Sequence, residues 1–432
     1  MFEALLRAAP KPKGICCVLA LSLALAAACD RVGYYSITGS TGAGDGDDDD
    51  GSSDGPSTGQ LSTGSSTPST ITRAMVLDGV ATCAVELYDD FAQAAANLED
   101  ATSALEDSPT AENETAARAA WVEAIARWQQ AEVLRIGPAG PLTLPQGQGL
   151  RDYVYSWPLV SRCLVEQSLV KEAYAEDDWA AVGLVNTRGL VATEYLLFYG
   201  GSDNACSASS SINSQGTWAA LGADEIAHRK RAYAAAAARD VAVKAAAIGA
   251  GWAGEDGFAA MLADAGRSGS PFATDQAALN AVSDGLFYIE HEVKDIKLGR
   301  PLGKTPECPE ATCPGDVESL YAKVSRDHIR NNLLGFQRVF DGCDAASETG
   351  FEDLLRSVGA ADLADRMSAD VKAAIAVADG LPSSDLGGLI ERDPATVDAL
   401  HAAVKRITDA LKTDFVTVLD LELPTSLEGD ND

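Results

Sequence analysis

A single carboxylate inside an apolar run is the first residue of this chain that demands a chemical reason. Residues 186–201, NTRGLVATEYLLFYGG, read as one buried helix. Leu190, Val191, Leu196, Leu197 and Phe198 supply apolar bulk over most of its circumference, and Gly200-Gly201 stop it. Glu194 sits inside that run. A buried glutamate costs several kcal/mol unless it is paired, hydrogen-bonded or bound to a cation. Two expectations follow. Either Glu194 is tied to an arginine or a backbone amide, or it is a site carboxylate that binds a cation or polar ligand, with Glu132, Arg135 or Arg151 as partners.

The other residues able to do chemistry are sparse. The chain has four histidines, His228, His291, His328 and His401. Glu225 and His228 have the Glu-x-x-His spacing of di-iron bundles, which places both on one helical face, but a second such pair is missing. His291 and Asp295 stand four apart, so both can face one metal or each other. They lie in the charged run 290–297, EHEVKDIK, which otherwise reads as a solvated face laced with salt bridges. Glu194, His291 and Asp295 are therefore the candidate metal ligands, for iron or another divalent cation. There is no His-Glu-x-x-His, no Gly-x-Ser-x-Gly and no phosphate loop.

These residues are carried by helices. Apolar residues recur at three- and four-residue spacing over 75–105, 115–136, 218–248, 274–298, 317–340, 361–381 and 394–421, and no strand-like alternation of any length occurs. Residues 109–110 are placed to start the second helix, and residues 299–301, Gly-Arg-Pro, to stop a later one. The expected fold is all-α, two antiparallel helical bundles over 71–248 and 249–432. Gly189-x-x-x-x-Glu194 recurs as Gly285-x-x-x-x-Glu290, which suggests that the bundles are related by a pseudo-repeat.

Net charge is −31 and no basic stripe exists to meet phosphates, so nucleic acid is excluded as a partner. Residues 1–29 read as a signal peptide: Arg7, Lys11 and Lys13 precede an apolar stretch that ends in Ala26-Ala27-Ala28-Cys29. That ending resembles a bacterial lipobox with Cys29 as the lipidated residue, anchoring an exported envelope protein to a membrane in the periplasm or at the outer membrane. Plain secretion after an Ala-x-Ala site is the alternative. Residues 30–70, rich in Ser, Thr, Gly and Asp, read as a disordered linker. Of nine cysteines, six remain after the signal and Cys29: Cys83, Cys163, Cys206, Cys308, Cys313 and Cys343. An even number in an exported chain points to disulfides of open pairing, with Cys308 and Cys313 placed to close a small ring.

The motif helix also carries a family resemblance. Residues 189–194, GLVATE, followed by Tyr195-Leu196-Leu197, resemble the imelysin motif GxHxxE and its YLL-type tail. Gly189 and Glu194 match, and Val191 stands where the motif has histidine. Residues 121–138, Trp157-Pro158, 284–303, 331–336 and 411–430 resemble further signatures of that family, in the same order, over about 72–432. The resemblance implies a two-bundle fold with a ligand cleft between the bundles near Glu194 and residues 285–297. It also implies a link to iron acquisition, with iron-uptake proteins as partners. A metallopeptidase is the alternative, and its motif histidine is absent here. A third reading is a degenerate member kept as a scaffold for protein–protein contact.

Overall fold

In the computed structural model, residues 70–343 and 349–424 are described, and every regular element among them is helical. The signal segment, Cys29, the linker up to residue 69 and the tail from residue 425 lie outside the described residues.

Caps and punctuation set the first helices. Thr72 accepts a hydrogen bond from the Met75 N–H (3.3 Å) and opens α1, Arg73–Asp107. Thr110 does the same for Asn113 (3.2 Å) and opens α2, Ala111–Ala131, just beyond Pro109. There follow α3 (Arg162–Lys171), α4 (Gly189–Phe198) and α5 (Thr217–Trp252), the last interrupted at Gly222, whose φ is +74°. Val76, Val80, Leu87, Phe91 and Leu98 form the buried stripe of α1, which packs along both α2 and α5. The alanines of α5, Ala234, Ala237, Ala238, Ala242 and Ala245 among them, are buried and allow close approach. Helix α4 wedges between α2 and α5, with Trp121 of α2 donating its indole N–H to the Leu190 carbonyl (2.8 Å).

The later helices are α6 (Asp275–Leu286), α7 (Ile289–Gly299), α8 (Ser325–Asp341), α9 (Ala361–Gly380) and α10 (Pro394–Ala410). Helix α9 packs on both α8 and α10, and α10 lies on α7. The seam between the two sets is the crossing of α8 over α2. There Gly335 is required, because a Cβ would fall 2.1 Å from the Gln130 carbonyl oxygen. The short helix Phe258–Ala263 and α6 pack against α1, so residues just past 249 lie on the first set. Contacts run throughout, and the two sets form one compact unit. Three disulfides pair the six cysteines: Cys83 with Cys343, Cys163 with Cys206, and Cys308 with Cys313. Among the described residues no helix is long and apolar enough to cross a membrane.

Within these elements the structure departs further from the sequence expectation. The helix expected from 317 begins at Ser325, because the backbone and side chains of 318–322 are spent on buried partners described below. The helix expected over 274–298 is two elements. Helix α6 ends at Leu286, and α7 winds with wider bonds, such as Arg300 N–H to Asp295 O (2.7 Å). The two Gly–Glu runs are not in equivalent places. Gly189 opens α4 with φ +73°, whereas Gly285 lies in the last turn of α6 against the Val133 carbonyl, and Glu290 belongs to the next element.

Candidate ligand site between the helix sets

Glu194 shares a face of α4 with Val191, one turn earlier. Helix α4 can start where it does because residue 189 is glycine: at φ +73°, a Cβ there would also lie 2.5 Å from the Val154 carbonyl oxygen. The Glu194 side chain is buried, and its Oε1 accepts three hydrogen bonds. The donors are the Ser319 hydroxyl (3.1 Å) and the N–H groups of Tyr321 (2.9 Å) and Ala322 (2.8 Å). All three come from the irregular stretch before α8, so backbone amides and a hydroxyl, rather than an arginine, hold this carboxylate. Burial pushes the Glu194 carboxyl up, against the opposing pull of the Ala322 N–H, His328 and the Tyr321 N–H. Among the described residues, Oε2 accepts no hydrogen bond. Glu194 lines a cleft of about 210 Å³ together with Trp157, Pro158, Val191, Arg300 and Tyr321.

A buried polar network stands beside this cleft and stitches the two helix sets together. At its centre is Glu318, which is buried. It takes the Gln129 amide N–H (3.0 Å), the Lys297 ammonium (3.0 Å) and the Tyr155 hydroxyl, and His328 Nδ1 stands 3.1 Å from its Oε2. Burial alone would raise its carboxyl, but Lys297 and His328 outweigh burial and hold it at about 2. Lys297 also donates to Gln129 (2.6 Å) and Asn332 (2.9 Å). Glu132, just past α2, binds Arg151 (3.0 Å) and takes the Tyr288 hydroxyl (2.8 Å). Arg135 pairs with Glu292 and lies over the Tyr288 ring. Glu132, Arg135 and Arg151 thus cluster with one another and do not contact Glu194.

His291 and Asp295 line a neighbouring cleft of about 340 Å³ with Ile296, Arg300, Thr305 and Glu307. Pro158 and Arg300 line both clefts, so the two meet at Arg300, whose Nε donates to Asp316 (2.9 Å). Glu292, 3.6 Å away, holds the His291 imidazole above its ordinary range. The charged run 290–297 is not a solvated face. Glu290, Lys294 and Lys297 are buried, and Glu290 pairs with Lys294 and Lys412, each at 2.7 Å. His228 is exposed on α5, and its neighbour Glu225 pairs with Arg229 (2.7 Å). His401, half-buried on α10, is pushed down to about 4 by burial, with Lys304 adding to the effect.

Comparison with known proteins places this fold. Residues 84–413 match the profile of the imelysin family, described as peptidase M75. The chain belongs to the imelysin family. It is 26% identical over 279 residues to iron-regulated protein A of Synechococcus elongatus, an alignment covering 64% of this chain. The chain spans 66%, just under two thirds, of that relative's length. Two crystal structures share the fold. One is an iron-regulated protein A precursor from Parabacteroides distasonis, with TM-score 0.63, 17% identity and coverage of 82% of this chain and 96% of that one. The other is an imelysin-like protein from Psychrobacter arcticum, with TM-score 0.61, 18% identity and coverage of 82% and 98%.

Within the imelysin frame, the donor set does not fit a water-activating metal. Such a zinc site needs about three protein ligands. Val191 replaces the motif histidine, and one oxygen of Glu194 is already engaged by three donors. Among the described residues, no three His, Cys, Asp or Glu side chains converge so as to hold a metal ion. Glu194 lines one cleft, while His291 and Asp295 line the other. Sequence reasoning missed Glu318, His328 and Ser319, because 317–324 reads as the start of a helix. It took Arg300 only as part of a helix stop. The available signal was a second glutamate in an apolar neighbourhood, Val317-Glu318, ten residues before one of only four histidines.

Proposed function

We propose that this imelysin-family protein is a binding component of iron handling that holds a small polar ligand, such as an iron chelate, in the paired clefts that meet at Arg300. The observation that carries the reading is the half-used carboxylate of Glu194. Oε1 is fixed by three donors, and Oε2 is left for a ligand that either donates to the carboxylate or accepts from its protonated form. Arg300, His291 and Asp295 add charges of both signs along the same groove, which suits a chelate better than a bare ion. The name of the cyanobacterial relative, an iron-regulated protein, supports the link to iron. Hydrolysis is the weaker reading, because no residue set fits a metal-bound water. A scaffold role has one observation in its favour: Leu159 (66% exposed), next to cleft-lining Pro158, is bared, as are Val182 (66%) and Leu184 (63%) at and just past the end of the short helix Trp179–Val182. In the cell the domain would hang from a lipid on Cys29 in the envelope, beside iron-uptake proteins.

The test is titration with iron(III) nitrilotriacetate, and separately with zinc alone, followed by quenching of tryptophan fluorescence, since Trp157 lines the cleft. Glu194→Gln is expected to weaken the chelate about tenfold, the value of one charge-assisted hydrogen bond. Identical titrations for wild type and Glu194→Gln would sink the reading. Val191→His adds an imidazole beside Glu194 and is expected to create zinc affinity that the wild type lacks. Cys29→Ser is expected to release the protein from membranes, read by fractionation and intact mass.

A further inference from the structure

A cavity of about 500 Å³ lies away from the seam, inside the first helix set, and is within the usual size of small-molecule sites. Leu105 and Pro109 at the α1–α2 turn, Leu196 and Leu197 at the end of α4, and Ile226 on α5 form its apolar walls. Its polar walls are unusual for this chain, which has 64 acidic residues against 33 Lys and Arg. Three cations, Arg118, Lys230 and Arg231, line it against two carboxylates, Glu114 and Asp224.

Only one of the three cations is neutralised. Arg118 pairs with Glu114 at 2.5 Å. Lys230, 5% exposed, donates only to the main-chain carbonyls of Tyr199 (2.9 Å) and Gly201 (2.8 Å). Arg231, half-buried, has no hydrogen bond or ion pair among the described residues. A buried ammonium without a carboxylate partner is costly, and charged groups left unpaired in a cavity mark a candidate binding site. Thr110 and Ala111, at the positive end of the 21-residue helix α2, line the same cavity.

We propose that this cavity binds a small organic polycarboxylate. Its carboxylates lie on Lys230, Arg231 and the first turn of α2, and its carbon skeleton lies against the leucine and proline walls. The state of Lys230 agrees. Burial, helped by nearby Arg162, pushes its ammonium down to about 8, against the pull of Glu166 and Asp203. The Tyr195 and Tyr199 rings lie 5.0 and 4.8 Å away, and Arg118, Arg231, Glu114 and Asp224 share the cavity. A bound anion favours the charged form, so binding takes up protons near pH 8, and affinity falls as pH rises beyond it.

Calorimetric titration of the whole protein with iron-free citrate, and separately with inorganic phosphate, tests this, and variants at Arg231, which lines this cavity and neither cleft at Arg300, separate the sites. Citrate is expected to bind at about millimolar or tighter. Arg231→Gln is expected to weaken it about tenfold, and Arg231→Lys less. Affinity is expected to fall between pH 7 and pH 9.5. Lys230→Met would remove a brace of the α4 end, so the inference is judged on Arg231 and the pH profile. No heat with citrate, binding unchanged in Arg231→Gln, or phosphate preferred over citrate would each overturn the assignment.

Discussion

Replacing Glu318 by Gln keeps the shape of the side chain and removes its charge from the centre of the seam. Lys297, itself buried, then has no carboxylate and keeps only amide oxygens, those of Gln129, Asn332 and the amide that replaces the Glu318 carboxylate. Breaking a buried pair in this way costs about 3–5 kcal/mol. For a folded body of this size, with an unfolding entropy of about 0.7 kcal/mol per degree, the midpoint falls by about 4–7 °C. The loss has a pH signature. The Glu318 carboxyl is held at about 2 in the fold against an ordinary 4.5, so its stabilisation is fully present above 4.5 and is lost as pH falls towards 2. That difference corresponds to about 3 kcal/mol at neutral pH and about half as much at pH 3. Thermal unfolding followed by circular dichroism at pH 7, 5 and 3 measures both. Equal midpoints for variant and wild type at pH 7, or a gap that persists undiminished at pH 3, would refute the reasoning.

Three further outcomes are expected. His401 stays neutral in the fold down to about 4 but protonates near 6.5 when unfolded, so the fold loses stability as pH drops through that window. His401→Gln should remove this loss, and a gap to wild type that is the same at pH 7 and pH 4.5 would contradict it. Gly335→Ala pushes a methyl against the Gln130 carbonyl at the α2–α8 crossing and should cost about 1–3 kcal/mol or more, read as a lowered unfolding midpoint; an unchanged midpoint would show that the crossing yields. Cys83→Ser with Cys343→Ser opens a link across 260 residues and should cost about 2–5 kcal/mol, read as a lowered unfolding midpoint; an unchanged midpoint would contradict it.

The helical class was legible because helices announce themselves locally, through spacing, caps and stops. Thr110 after Pro109 and the alanine run of α5 are read from neighbours alone. Glu194 was legible for the same reason, as one charge in an apolar helix must be satisfied by something. What satisfies it was not legible. Ser319, Tyr321 and Ala322 lie some 125 residues away, and their stretch has helical composition that gives way to a tertiary demand for backbone N–H groups. The run 290–297 misled for the converse reason. Its charges look solvated in sequence, but Glu290 and Lys294 neutralise each other and can be buried together. Sequence determined most of the helical segments, though not where α8 begins or where α6 gives way to α7, and which carboxylate stands out. Only the tertiary structure decided that Glu132, Arg135 and Arg151 belong to a separate cluster from Glu194, and that His291 and Asp295 reach a cleft which meets that of Glu194 at Pro158 and Arg300. Side-chain partners across a seam depend on how whole helices cross, and that is set by packing at positions such as Gly335 rather than by any local pattern.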